Sequence, residues 1–276
     1  MSENSHRSSA ANYLMRIAER RVAGAVALSV VALAVMVSCS NDSPTAANVE
    51  TVRGADVTFG NGVARTEVQV QGTNVVSVAV VLSENALDGL PTQLPPMTSQ
   101  EYILPLPAGA PPMVFEQVVV NWQPVGHPPM SIYTTPHFDV HFYTITPQQR
   151  AAITPADPAY AAKTLRQPAA DELPPGYTLD PAAVPRMGVH AGATAGPEFR
   201  GAPFASTFVY GFFDGGMIFL EPMMTRTFLL SRPDTTIAIA TPARYPKPGA
   251  YPTAYAYKYD VATRERRIEL RGFVQR

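Results

Sequence analysis

Twenty-eight prolines in 276 residues constrain this chain more than any other feature. Proline lacks a backbone N–H, breaks the interior of a helix, and in a sheet is confined to edges, first residues and bulges. Long helices are therefore excluded, and short strands joined by many turns are expected. The apolar pattern agrees. Residues 63–70 alternate, Gly72-Thr73-Asn74 supplies a turn, and residues 75–82 run apolar, which makes a hairpin. Residues 205–213 and 217–221 flank Asp214-Gly215-Gly216 as a second hairpin. Residues 113–122, 138–144, 225–230 and 235–240 read as further strands, with 254–259 and 267–274 as a closing pair. Residues 83–90 read as a short helical turn. Thr146-Pro147 starts a helix, with a capping hydroxyl and proline at the first position. The expected fold class is mainly β, a sandwich or barrel with a few short helices.

The first forty residues carry a different signal. Arg7, Arg16, Arg20 and Arg21 precede an apolar run over residues 22–37. A basic segment followed by such a run is the pattern of a secretory signal peptide, and the run is short for a membrane-spanning helix. It ends in Met36-Val37-Ser38-Cys39, which resembles the lipobox of bacterial lipoproteins. That resemblance implies cleavage before Cys39, a diacylglycerol on its thiol and membrane attachment through the lipid. Ser40, by the same likeness, implies sorting to the outer membrane in a Gram-negative host. Cys39 is the only cysteine, so disulfides, a cysteine nucleophile and thiolate metal sites are excluded from the folded part. The domain division expected is a lipoprotein signal peptide at 1–38, a polar tether at 39–53 and a single β-rich domain at 54–276. The location expected is the cell envelope. With 21 basic and 22 acidic residues, neither nucleic acid nor an anionic surface is implied as a partner.

Chemistry-bearing residues are concentrated. After Cys39 there are four histidines: His127, His137, His141 and His190. Three fall within Gly126-His-Pro-Pro-Met-Ser-Ile-Tyr-Thr-Thr-Pro-His-Phe-Asp-Val-His-Phe-Tyr143. Neutral imidazole is the commonest side-chain ligand of zinc and similar ions. If residues 137–143 form a strand, His137, Asp139, His141 and Tyr143 face one way, and Phe138, Val140 and Phe142 face the other. His137 and His141 then stand about 13 Å apart and cannot share an ion, whereas neighbours on the same face can. Further ligands would come from His127, His190, Glu198 or Glu221. Glu221 lies in an apolar stretch before Pro222, where a carboxylate needs a ligand role or a salt bridge, for instance to Arg226. A metal-free polar ladder of histidine, aspartate and tyrosine is the alternative. Met187, Met217, Met223 and Met224 read as packing residues before copper ligands, and Trp122 as core. Residues 154–186, rich in Pro, Ala and Asp, read as an ordered surface loop, with a cover over a site as the alternative. Hydrolase, nucleotide-loop and H-E-x-x-H zinc signatures are absent from the sequence.

Leu87-Asp-Gly-Leu-Pro91, Trp122-Gln-Pro-Val-Gly-His127, Pro136-His-Phe-Asp-Val-His-Phe-Tyr143, Met187-Gly-Val-His190 and Phe219-Leu-Glu-Pro-Met223 follow one another in the chain. This order resembles a family of exported bacterial proteins defined only as a domain of unknown function, over residues 54–231. The block at 136–143 is its most specific part. The family pattern has an acidic residue after the first histidine, where this chain has Pro128. The resemblance implies that the histidines act as a set, and it implies no reaction. The sequence reading is thus a lipid-anchored envelope protein binding a divalent metal, zinc before others, through His137, Asp139, His141, His190, His127 and Glu221. A metal-dependent hydrolase and a metal-free binding module, with Tyr133, Tyr143 and Tyr210 lining a cleft, are the alternatives.

Overall fold

The computed structural model describes residues 48–95 and 97–276. The signal-peptide segment, Cys39 and the start of the tether lie outside the described residues. The described residues belong to one compact unit. It begins with β1 (Val49–Arg53), β2 (Val57–Phe59), β3 (Gly62–Gln71) and β4 (Asn74–Leu82). Next come β5 (Gln100–Leu104), β6 (Gln117–Gln123) and β7 (His137–Tyr143), then α1 (Pro147–Ala151) and α2 (Tyr160–Leu165). There follow β8 (Tyr177–Val184), β9 (Gly188–Ala193), β10 (Ser206–Phe213), β11 (Gly216–Thr225) and α3 (Arg226–Leu230). The chain closes with β12 (Thr235–Ala238), β13 (Ala250–Tyr251), β14 (Ala254–Asp260), β15 (Glu265–Arg271) and β16 (Val274–Gln275). Among the described residues no helix is long and apolar enough to cross a membrane.

Fourteen strands form two seven-stranded antiparallel sheets, in the orders β1-β3-β4-β15-β14-β12, with β2 on β3, and β5-β6-β7-β11-β10-β9-β8, while β13 and β16 pair separately. Alternation explains how they join. Val68, Val78, Val80, Tyr257, Ile268 and Leu270 of the first sheet share one core with Val118, Val120, Phe138, Phe142, Tyr210 and Leu220 of the second. The fold is therefore a β-sandwich, as its patterning predicts. Trp122 belongs to this core, and its indole N–H donates to the Pro91 carbonyl at 2.8 Å.

Four local expectations are corrected. Residues 49–53, read as tether, pair with β3 as an edge strand, because Val52 packs on the core while its neighbours stay exposed. Residues 226–230, read as strand, are α3: the Thr225 hydroxyl accepts from the Phe228 N–H and starts a helix. Residues 154–186 hold α2 and β8, the edge strand of the second sheet, so they are more than a surface loop. Tyr143 and Tyr210 line no cleft, since both are fully buried and Tyr210 lies between the sheets.

The outer faces differ. On the first sheet charge is answered by charge: Arg65 and Arg267 both bond the buried Glu67 carboxylate. On the second sheet Arg150 and Arg186 pair with Glu101 of β5, whereas the carboxylates of Asp139 and Glu221 face histidines.

Candidate metal centre

Strand β7 sets the site. Phe138, Val140 and Phe142 point into the sandwich, so the opposite parity turns His137, Asp139, His141 and Tyr143 outward. Below them, α1 closes the face. Thr146 and Gln149 form a reciprocal capping box, with bonds of 3.2 and 2.9 Å. Arg150 of that helix lies over the Tyr143 ring. Strand β11 flanks β7 in a register that pairs Leu220 with Phe142 and Met223 with Asp139, which sets Glu221 beside His141. Glu221 in turn pairs with Val209 of β10, and Gly211 of β10 pairs with His190 of β9. Gly211 has no side chain for a reason: a Cβ there would stand 2.0 Å from the Phe219 ring. That gap lets Phe219 fold over β10 beside both His141 and His190. His127 arrives on a loop whose Gly126 has φ +75° and a Cβ position 2.0 Å from the Tyr133 carbonyl, so only glycine fits.

All six residues singled out in the sequence lie on this face, in two groups of three. In one, His127 Nε2 is 3.5 Å from Asp139 Oδ2 and His137 Nε2 is 3.2 Å from Asp139 Oδ1. In the other, His141 Nε2 is 3.5 Å from Glu221 Oε1 and His190 Nε2 is 3.7 Å from Glu221 Oε2. Within each group, one ligand atom from each residue lies within 4.8 Å of the others. Ligands of tetrahedral zinc at 2.0–2.1 Å stand about 3.4 Å from one another, close to these four separations. His137 and His141 fall in different groups, as the strand rise requires. Glu198, in a one-turn helix at Pro197–Arg200, is buried but joins neither group. The Arg226 salt bridge expected for Glu221 does not form. Arg226 turns away on α3 to the Leu87 carbonyl and Asp88.

The groups differ in what satisfies them. Nδ1 of His127 and Nδ1 of His137 each sit 2.7 Å from a backbone carbonyl, of Pro128 and Thr135. A carbonyl only accepts, so each Nδ1 carries a proton, and each Nε2 faces Asp139. Burial opposes the Asp139 charge, yet the imidazoles of His137 and His127 hold its carboxyl well below the usual range. Burial likewise opposes protonation of His127, but the Asp139 charge outweighs it and raises its pKa. A proton on His127 Nε2 answers Asp139 Oδ2, while His137 Nε2 and Asp139 Oδ1 stay buried without a hydrogen-bond partner. Gln123 adds a 3.0 Å hydrogen bond to Asp139. It was overlooked as a site residue, although its outward parity on β6 was visible.

The second group gains no such proton. Burial drives His141 down to about 3 and His190 down to about 4, so both rings are neutral near pH 7. Burial, reinforced by the nearby Asp139 charge, pushes Glu221 well above the carboxylate range. Both His141 ring nitrogens and Glu221 Oε2 are buried without a hydrogen-bond partner. The His141 ring is held between Tyr143, stacked at 5.5 Å, and Phe219, edge-on at 4.7 Å. Above the face opens a cavity of about 440 Å³, lined by His127, Asp139, His141, His190 and Glu221 at its floor. Of the four methionines, Met187 and Met223 reach this cavity, while Met217 and Met224 pack in the core.

Comparison with known proteins adds little chemistry. The family model of TTHB210-like proteins, described as hypothetical protein TTHB210, matches residues 71–122. That stretch runs from the end of β3 into β6 and stops before the histidine-bearing β7. It fits an uncharacterised domain family. No curated protein and no solved structure matches the chain.

Proposed function

We propose that the protein binds one divalent metal ion, zinc before others, through His141, His190 and Glu221, within an exported protein anchored by lipid on Cys39. One observation carries the metal reading: both ring nitrogens of His141 and Oε2 of Glu221 are buried with no hydrogen-bond partner among the described residues, and His190 Nε2 converges on the same point. A buried orphan costs about 1–3 kcal/mol, so several at one point call for a ligand. Metal needs unprotonated imidazoles, and both rings are already neutral. In the neighbouring His127–His137–Asp139 group, the Asp139 charge favours a proton on His127, which competes with a metal ion there. The test is calorimetric titration of zinc into residues 46–276. The expected stoichiometry is one. His190 is partly open to the cavity, so His190→Ala should fold, and losing a ligand should weaken zinc beyond the roughly 100-fold seen for outer-shell changes. Equal zinc affinity in the variant, or no binding by the parent, overturns the proposal.

Metal-assisted hydrolysis is a second reading, favoured by the cavity above the three ligands. Three protein ligands with a position left for water are the catalytic arrangement of zinc, whereas structural zinc takes four.

A further inference from the structure

The cavity's lining separates sharply into a floor and walls. Every ligand of the proposed ion is at the floor. Leu179 and Val184 of β8, together with Met187, Phe199, Tyr133 and Met223, make predominantly apolar walls. The apolar character continues to the mouth, where Met97 is 79% exposed, Val184 41% and Phe199 37%. Apolar side chains gathered at the rim of a concave site mark a surface meant to be covered. The volume, about 440 Å³, falls in the range of small-molecule sites. The charged groups lining it are Asp139, Asp180, Glu221 and the histidines; among the described residues it has no lysine or arginine. An anionic ligand can therefore be held only by an ion at the floor, and a multiply charged one finds no side-chain cation to match it.

From this division we infer that the cavity takes an apolar monocarboxylate, its carboxylate on the open position of the ion and its apolar body against the β8 wall. The inference rests on the metal reading above. The two ligands are coupled: without the ion, the Asp139 and Asp180 carboxylates repel the head group. With it, each ligand tightens the other by the same factor.

The experiment uses residues 46–276, with zinc binding measured first and alone. Octanoate, acetate and octylamine are then titrated into the zinc-loaded and the zinc-free protein. Octanoate adds only methylenes to acetate, and burying two of them is worth about tenfold in affinity. The expected result is that octanoate binds the zinc form at least about tenfold tighter than acetate does, and tighter than it binds the zinc-free form by a similar factor. Phe199→Ser, at an exposed rim position, removes the ring without adding charge and should lower octanoate affinity toward that of acetate while leaving zinc binding unchanged. Leu179→Ala gives a second, milder probe of the wall in the same direction. Zinc binding with no preference for octanoate overturns this inference and leaves the metal reading standing. Equal octanoate binding without zinc, or octylamine binding in place of octanoate, overturns it as well. Failure to bind zinc overturns both.

Discussion

Glu221→Gln should leave the metal-free protein standing and remove its response to zinc. Without the ion, burial and Asp139 keep the Glu221 carboxyl protonated, and glutamine has the shape of that neutral acid. Near pH 4 and below, where the carboxyl is largely protonated in the folded and the unfolded chain alike, stability without zinc should change by no more than about 1 kcal/mol, the size of one hydrogen bond. Its pH dependence should change more. The folded metal-free chain keeps a proton that the unfolded chain releases above about pH 4.3. Glu221 therefore destabilises the fold progressively as pH rises past that value, and the variant, whose amide does not titrate, should flatten this slope. Zinc binding must expel the same proton, so zinc affinity should rise with pH. At zinc 100 times its Kd the parent gains about 2.7 kcal/mol. For a unit of this size each kcal/mol moves Tm by about 2–4 °C, so zinc should raise it by about 5–11 °C. The variant should gain almost none of this. Thermal melts of both proteins, with chelator across about pH 4–8 and with zinc across about pH 5–8, read every part of the prediction. The reasoning fails if the variant keeps the full zinc increment, or if its loss of stability is the same in zinc and in chelator.

Two further predictions follow from particular residues. Gly211→Ala puts a methyl against the Phe219 ring and should cost about 1–3 kcal/mol in a urea melt while weakening zinc binding, since Phe219 also packs His141 and His190; unchanged stability would show that the close approach is not needed. Cys39→Ala should leave the chain without lipid and free of membranes after fractionation, and a variant that stays uncleaved in the membrane would make residues 22–37 a true anchor.

The face that carries the site was legible because β7 alternates so strictly. Phe138, Val140 and Phe142 have only one apolar place to go, and their parity fixes where His137, Asp139 and His141 point. The rise of a strand alone separates His137 from His141, and the structure puts them in different groups. The partners of those residues were not legible. Strand order is a long-range property, and nothing local in Phe219-Leu-Glu-Pro-Met223 says that β11 lies beside β7, or that β9 lies two strands further on. The wall of the cavity was hidden for another reason. Strand β8 contains Asp180 and Pro181, and its pairing with β9 is interrupted between Leu179 and Ala183. An irregular edge strand of this kind has the composition of a loop. Arg226 misled because α3 begins at Thr225 and swings the guanidinium to the Leu87 carbonyl, away from Glu221.

The central claim is tested most directly by a crystal of zinc-loaded residues 46–276, with diffraction recorded on both sides of the zinc absorption edge. The account predicts one strong anomalous peak at about 2.0–2.2 Å from His141 Nε2, His190 Nε2 and a Glu221 carboxylate oxygen, with its remaining position facing the cavity. No peak on this face, or a peak only among His127, His137 and Asp139, would contradict it.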